Sequence, residues 1–256
     1  PLGILFRLEG LDIPNPNHFA AFGTTGGPVS LLNNNVLANS DFMTGAFPAE
    51  YGNALSGVFD IRMRNGNNEK HEFIGQLGFN GAELLAEGPF SKKYRASYLV
   101  SYRYSTLELF KYLGIKFGTL SVPKYQDVSF KFHFQHKHGS TSIFGLGGIS
   151  RIDLLNKDLD TSNNLYNRPN EDVYFGSMVG AVGINHFHIF NEKTYLKIII
   201  GANGIVNTID IDSVNPATRE TALRKYVNHS FLNKAASHIL LNKKFTSQHT
   251  LRVGVL

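Results

Sequence analysis

Two glutamates four residues apart, Glu83 and Glu87, are the first candidates for chemistry in this sequence. A pair of carboxylates on one face is the minimal equipment of a glycosidase. The segment Ala82 to Gly88 precedes Pro89 and reads as a strand, where a spacing of four also means one face. No partner acid accompanies them, so they read as interior-facing carboxylates. His133, His136 and His138 form the densest histidine group, and His186 and His188 stand two apart. Two imidazoles on one strand face are a transition-metal pattern. Here a lysine intervenes at a turn and no carboxylate is fixed nearby, so solvated or interfacial histidines are expected. Gly23-Thr24-Thr25-Gly26-Gly27-Pro28 has the glycine content of a phosphate cradle but no Lys-Ser/Thr after it, so it reads as a flexible loop. No Gly-x-Ser-x-Gly elbow, HExxH helix or dinucleotide fingerprint occurs. The expectation is a protein with no catalytic set, metal site or cofactor.

Composition narrows the class further. The 256 residues contain no Cys and no Trp, which excludes disulfide frameworks, cysteine-liganded zinc and cysteine nucleophiles. Charged residues are 18%, below the roughly 25% of soluble globular chains. With 25 Gly, 20 Phe and 11 Tyr, the chain has the make-up of an all-β protein with much apolar surface. The net charge of +5 raises nucleic acid as a partner. No recognition motif supports that, and the densest basic groups, Lys92-Lys93 and Lys243-Lys244, fall in turns as solvated tips. No run of about 18 apolar residues exists, so no transmembrane helix is expected.

The elements that must position these groups divide at about residue 68. Ile4 to Glu9 reads as a strand running into Gly10-Leu11-Asp12. Ile13-Pro14-Asn15-Pro16-Asn17-His18 is irregular, with two prolines and turn-forming Asn. A short helical turn is expected within Val29 to Ala38, and a strand at Asp41 to Gly45. From residue 69 alternation takes over. Tyr94, Ala96, Tyr98, Val100, Tyr102 and Tyr104 share one face, against Arg95, Ser97, Leu99, Ser101 and Arg103. Val128, Phe130, Phe132 and Phe134 alternate with Ser129, Lys131 and His133; Leu196, Ile198 and Ile200 alternate with Lys197 and Ile199. The tyrosine face reads as an aromatic girdle and lipid-facing surface rather than a carbohydrate platform.

Short links near 91–93, 136–139, 191–193 and 246–248 alternate with long ones near 106–123, 156–171 and 213–219. About nine strands follow residue 69, with runs matching membrane strands of about 9–11 residues. Short turns on one side and long loops on the other are the pattern of outer-membrane barrels. Thr106 to Gly114 has helical spacing on one long loop. The chain opens on a strand and stops mid-pattern at His249 to Leu256, so a piece of a longer protein is expected.

The most specific stretch is Gly45-Ala46-Phe47-Pro48-Ala49-Glu50-Tyr51-Gly52-Asn53-Ala54-Leu55-Ser56-Gly57-Val58, continued by Phe59-Asp60-Ile61-Arg62-Met63-Arg64. It is a glycine-punctuated turn and a strand. This order closely resembles the end of the plug domain in TonB-dependent outer-membrane receptors. Phe6-Arg7-Leu8-Glu9-Gly10 and Glu87-Gly88-Pro89 support the resemblance.

That resemblance implies the C-terminal part of an α+β plug domain over 1–68 and the first part of an antiparallel transmembrane β-barrel over 69–256, of 22 strands in the family. Periodicity alone also fits a small barrel of 8 strands. It implies energised uptake of a scarce nutrient of siderophore, cobalamin, glycan or peptide class, in the outer membrane. The TonB complex would pull an upstream segment absent from this sequence. The alternative is a non-energised binding or adhesive barrel protein.

Glu50, Tyr51, Gly52, Gly57, Arg62 and Arg64 are assigned to the plug's structural motif, with Gly52 in a bend open only to glycine. Asn15, Asn17, His18 and Phe19 are the candidate ligand contacts, on a polar loop tipped with an aromatic. Tyr98, Val100, Phe130, Phe132, Ile198 and Ile200 are expected to face lipid, and Arg95, Arg103, Lys131 and Lys197 the interior.

Overall fold

A computed structural model describes residues 3–52, 54–78, 81–91, 95–107, 122–155, 170–215, 217–218 and 220–256. Six short strands come first: β1 (Ile4–Leu8), β2 (Leu11–Ile13), β3 (Asn17–His18), β4 (Val29–Ser30), β5 (Asp41–Met43) and β6 (Gly57–Ile61). Four of them form a sheet in the order β2-β1-β6-β5, and β3 pairs with β4. β1 and β2 are joined by Glu9 and Gly10, with φ of 53° and 94°. Two successive positive φ values make the hairpin turn whose twist suits right-handed strands. β6 runs parallel to β1, Ile4 opposite Gly57 through Leu8 opposite Ile61, and antiparallel to β5.

Nine longer strands follow: β7 (Glu72–Leu77), β8 (Ala82–Ser91), β9 (Ala96–Tyr104), β10 (Lys124–His136), β11 (Gly139–Leu154), β12 (Glu171–Asn191), β13 (Thr194–Val214), β14 (Thr221–Lys244) and β15 (Thr250–Val255). They form one sheet in chain order, every neighbouring pair antiparallel. This is the expected meander. Two-residue turns, Lys137-His138 and Glu192-Lys193, close one end.

The period-2 pattern sorts the faces as expected. Ile199 and Phe144 are buried at 4% and 0%, while Ile200 and Ile149 are exposed at 58% and 47%. One step along a strand moves a side chain to the opposite face. The buried face carries Leu99, Phe144 and Ile199, which pack with Leu8, Leu11 and Leu31 of the N-terminal segment in one core. Arg103, Lys131 and Lys197 lie on that inner face. Arg103 and Lys131 bond to the N-terminal segment, and Lys197 reaches Gly10. Arg95 does not join them. It precedes β9 in a turn and is exposed.

Four local expectations are corrected. Among the described residues of 1–68 there is no helix, so the segment is β and turn rather than α+β. Within Val29 to Ala38 lie β4 and a turn, because Asn33 Oδ1 takes the Asn35 N–H (2.8 Å) and its carbonyl takes that of Val36 (3.0 Å). Such side-chain bonds compete with helix propagation. Asn17 and His18 are a short strand rather than wholly irregular. The fourth correction concerns β6, which ends at Ile61. Residues 62–64 continue extended against 36–38, with Met63 bridged to Leu37. The helical spacing expected from Thr106 to Gly114 lies largely outside the described residues, as does Tyr94.

Candidate functional site

The polar chemistry of this chain gathers at the seam between the N-terminal segment and the inner face of the sheet. Lys131 on β10 donates to Glu9 Oε1 (2.9 Å) and to the Met63 carbonyl (2.7 Å). The same Glu9 oxygen accepts the Met63 N–H at 2.7 Å. Lys131 and Glu9 are both buried. β8 supplies a second clamp. Glu87 accepts both terminal nitrogens of Arg64 at 2.7 Å and the Asn67 N–H at 2.8 Å. Four residues along, Glu83 accepts from Asn33 Nδ2 at 2.6 Å. The two glutamates do share a face, and both are occupied as tethers.

A third clamp lies towards the long connections. His18 Nε2 meets Asp127 Oδ2 at 2.9 Å, with both side chains buried. Arg103 donates to the same oxygen (2.9 Å) and to the Ser30 carbonyl. Asn207 and Ser177 both donate to the Ala20 carbonyl, at 2.7 and 3.1 Å. Burying these groups is costly unless each is paired, and nearly all are. The arrangement holds one element against another through discrete, breakable bonds.

The motif residues form an internal staple of the N-terminal sheet. Arg7 lies 4.5 Å over the Tyr51 ring, donates to the Glu50 carbonyl (3.0 Å) and pairs with Asp12 (2.6 Å). Tyr51 donates to Asp60 at 3.1 Å, and Arg62 pairs with the same carboxylate at 3.3 Å. Burial, then the charge of Asp60, push the Tyr51 phenol up to about 12. Gly57 sits in a tight place: a Cβ there would meet the Phe42 ring at 3.2 Å and push it by a few tenths of an ångström. Gly52 is a correction. Its φ is ordinary and a Cβ there would meet nothing within 4 Å. The positive φ in this loop belongs to Ala46, at 53°. Gly52→Val is therefore expected to change stability by less than about 0.5 kcal/mol, read as an unchanged denaturation midpoint of the folded protein.

The four candidate ligand contacts are also redistributed. Asn15 is buried and donates to the carbonyls of Thr24 and Gly26, at 3.1 and 2.9 Å. Asn17 donates to Asn15 Oδ1. His18 is bound to Asp127, and Phe19 gives its N–H to Ser150 Oγ (2.9 Å) and its ring edge to Tyr125. These residues brace a loop instead of presenting it. What they present is Phe22, Gly23, Thr24, Gly26 and Gly27, all exposed. The signal in the sequence was Phe22 beside the glycine-rich run, read there as a plain loop.

The histidines separate by face. His133 points inward and bonds to Ser142 Oγ at 2.9 Å. His136, His186 and His188 stand on the outward parity, near the short turns. No group of three or more metal-ligating side chains is assembled among the described residues.

No family model matches the chain, and no curated protein does. Among solved structures, the siderophore receptor PirA from Acinetobacter baumannii matches 98% of this chain at 14% identity, with a TM-score of 0.58. What is shared is the fold: a small strand-rich segment seated against the inner face of an antiparallel β-barrel wall. Two structures of the ferric enterobactin receptor PfeA are also similar. One is a complex with BCV-L6 and the other a mutant from Pseudomonas aeruginosa. Each covers 98% of this chain, at 14% and 12% identity and TM-scores of 0.44 and 0.40. The chain spans 39% of PirA's length and 49% of each PfeA chain.

Proposed function

We propose that this chain is part of a TonB-dependent outer-membrane receptor that takes up a scarce nutrient. The carrying observation is the seam: a small sheet is held against the inner face of a membrane-type meander by buried, separable ion pairs. A plug so held occludes the barrel at rest and is released by breaking a few bonds at a time. The chemistry of this role is non-covalent, that of a receptor. The pull comes from the TonB complex through a segment N-terminal to the plug. Ligand classes for this role are siderophores, cobalamin, glycans and peptides, and PirA is itself a siderophore receptor.

The exposed tip Phe22 to Gly27 is the ligand-facing part of this plug half. It lies at the end of the strands that carries the long connections, beside Ser150 and Asn207. An aromatic ring flanked by backbone amides suits a polar ligand with flat apolar parts. Replacing residues 22–27 by a short Gly-Ser link in the full receptor should weaken ligand binding at least about tenfold, the scale of a lost aromatic anchor. The barrel should stay heat-modifiable. Uptake that persists in cells lacking the TonB system would end the receptor reading itself.

A further inference from the structure

We propose that the short-turn rim of the barrel wall docks the anionic phospholipid headgroups of the leaflet it faces. The inference rests on the membrane-spanning reading above. The two ends of the same strands handle charge differently. Among the described residues at the long-connection end, three cations are neutralised within the protein. Arg151 pairs with Asp153 at 2.7 Å, Arg224 with Asp212 at 3.0 Å, and Lys225 with Glu171. At the short turns stand Arg95, Lys137, Lys193, Lys243 and Lys244, all exposed. None forms an ion pair with a described residue. Among the described residues of those turns the carboxylate is Glu192. Lys243 lies 5.0 Å over the Phe245 ring, which positions its charge without cancelling it.

The outward face just inside this rim carries aromatic rings and imidazoles side by side. Phe90 stacks on Phe134 and meets Phe132 edge-on, each at 5.6 Å, and Phe190 is exposed on β12. Aromatic rings of this kind sit at the headgroup level of a bilayer. Beside them the imidazoles of His136, His186 and His188 line up. His186 and His188 are 6.1 Å apart, His136 and His186 6.5 Å, and His138 and His188 6.3 Å. The Thr141 hydroxyl lies 2.9 Å from both His136 Nε2 and His186 Nδ1, which orients both rings. Imidazole N–H groups donate to phosphate oxygens, and the lysines beyond them add charge.

Aromatic rings, imidazole donors and ammoniums gathered at one rim offer apolar contact to a lipid's acyl chain, and hydrogen bonds and positive charge to its phosphate. Phosphate alone is common to all phospholipids. The unpaired cations favour those with net negative charge, by about fivefold for each cation near the surface.

The test uses the full receptor folded into nanodiscs of zwitterionic phosphatidylethanolamine with a minor fraction of phosphatidylglycerol. Retained lipid is counted by native mass spectrometry. The wild type should retain the anionic lipid over the zwitterionic one. Lys137→Gln, Lys193→Gln, Lys243→Gln and Lys244→Gln together should lower that preference at least about tenfold. The control pair Arg151→Gln and Arg224→Gln, at the other end, should leave it intact. Equal selectivity in the wild type and the fourfold variant would overturn the proposal, as would a preference lost in the control pair alone. The fourfold variant changes exposed residues only. Should it fold poorly, His186→Gln with His188→Gln reads the same surface through its phosphate donors, and unchanged retention there overturns the proposal. A wild-type chain that never becomes heat-modifiable in lipid would instead overturn the membrane-spanning reading, and this proposal with it.

Discussion

Lys131→Met is expected to destabilise the contact between plug and wall by about 3–5 kcal/mol, the usual consequence of removing one partner from a buried ion pair. Methionine keeps most of the apolar stem, so packing is largely preserved. What is lost is the ammonium that binds Glu9 and the Met63 carbonyl at the same time. Glu9, 8% exposed, then keeps a carboxylate served by the Met63 N–H alone. The measurement is protease release of the plug from the full receptor in urea, which should begin at lower urea in the variant. Adding Glu9→Gln should recover part of the loss, because the stranded charge is what costs most. The pair Glu50–Arg252, half-buried on the Glu50 side and exposed on the Arg252 side, is the contrast: its partners lie 3.3 Å apart, and breaking it should cost under about 1 kcal/mol. A Lys131→Met effect no larger than that would show that the seam is not held there.

The second large effect belongs to the opposite face. Val182→Arg should destabilise the barrel in a bilayer by about 2–4 kcal/mol, the range for a cation at mid-depth on a lipid-facing position. Val182 is outward and 49% exposed, between Met178 and Ile184 on the same face of β12. His186→Arg, two outward positions nearer the short turns, should cost only about 0–1 kcal/mol, since the penalty falls towards the interface. Reversible denaturant titration in lipid vesicles reads both. Equal costs at the two positions would mean that this face does not meet a bilayer across its depth.

What could be read in the sequence was what is local. A strand's two faces are written in a period of two residues, so the alternation in β9 to β13 predicted both the meander and its sidedness. Val128, Phe130 and Phe132 are outward and Lys131 is inward for the same reason. Turn positions were legible through Asn, Gly and Lys clusters, and Glu83 and Glu87 were placed on one interior face. The motif at 45–64 marked a strand, and that strand is β6, paired with both β1 and β5.

What only the tertiary structure decided is which polar group meets which. Lys131 and Glu9 are 122 residues apart in sequence, and His18 and Asp127 are 109 apart. No spacing rule reaches that far. For the same reason Asn15 and His18, polar and flanked by prolines, read as an exposed recognition loop and are in fact buried braces. Polarity predicts exposure only when no partner waits across the fold. Gly52 fails in the complementary way. A glycine reports that a backbone is free to bend, but only the folded chain shows whether it does, and here the positive φ fell on Ala46. The sequence by itself determined the strands and their faces because sterics and burial act residue by residue. The seam that makes the wall and the plug one object was decided by contacts that exist only after the chain has closed on itself.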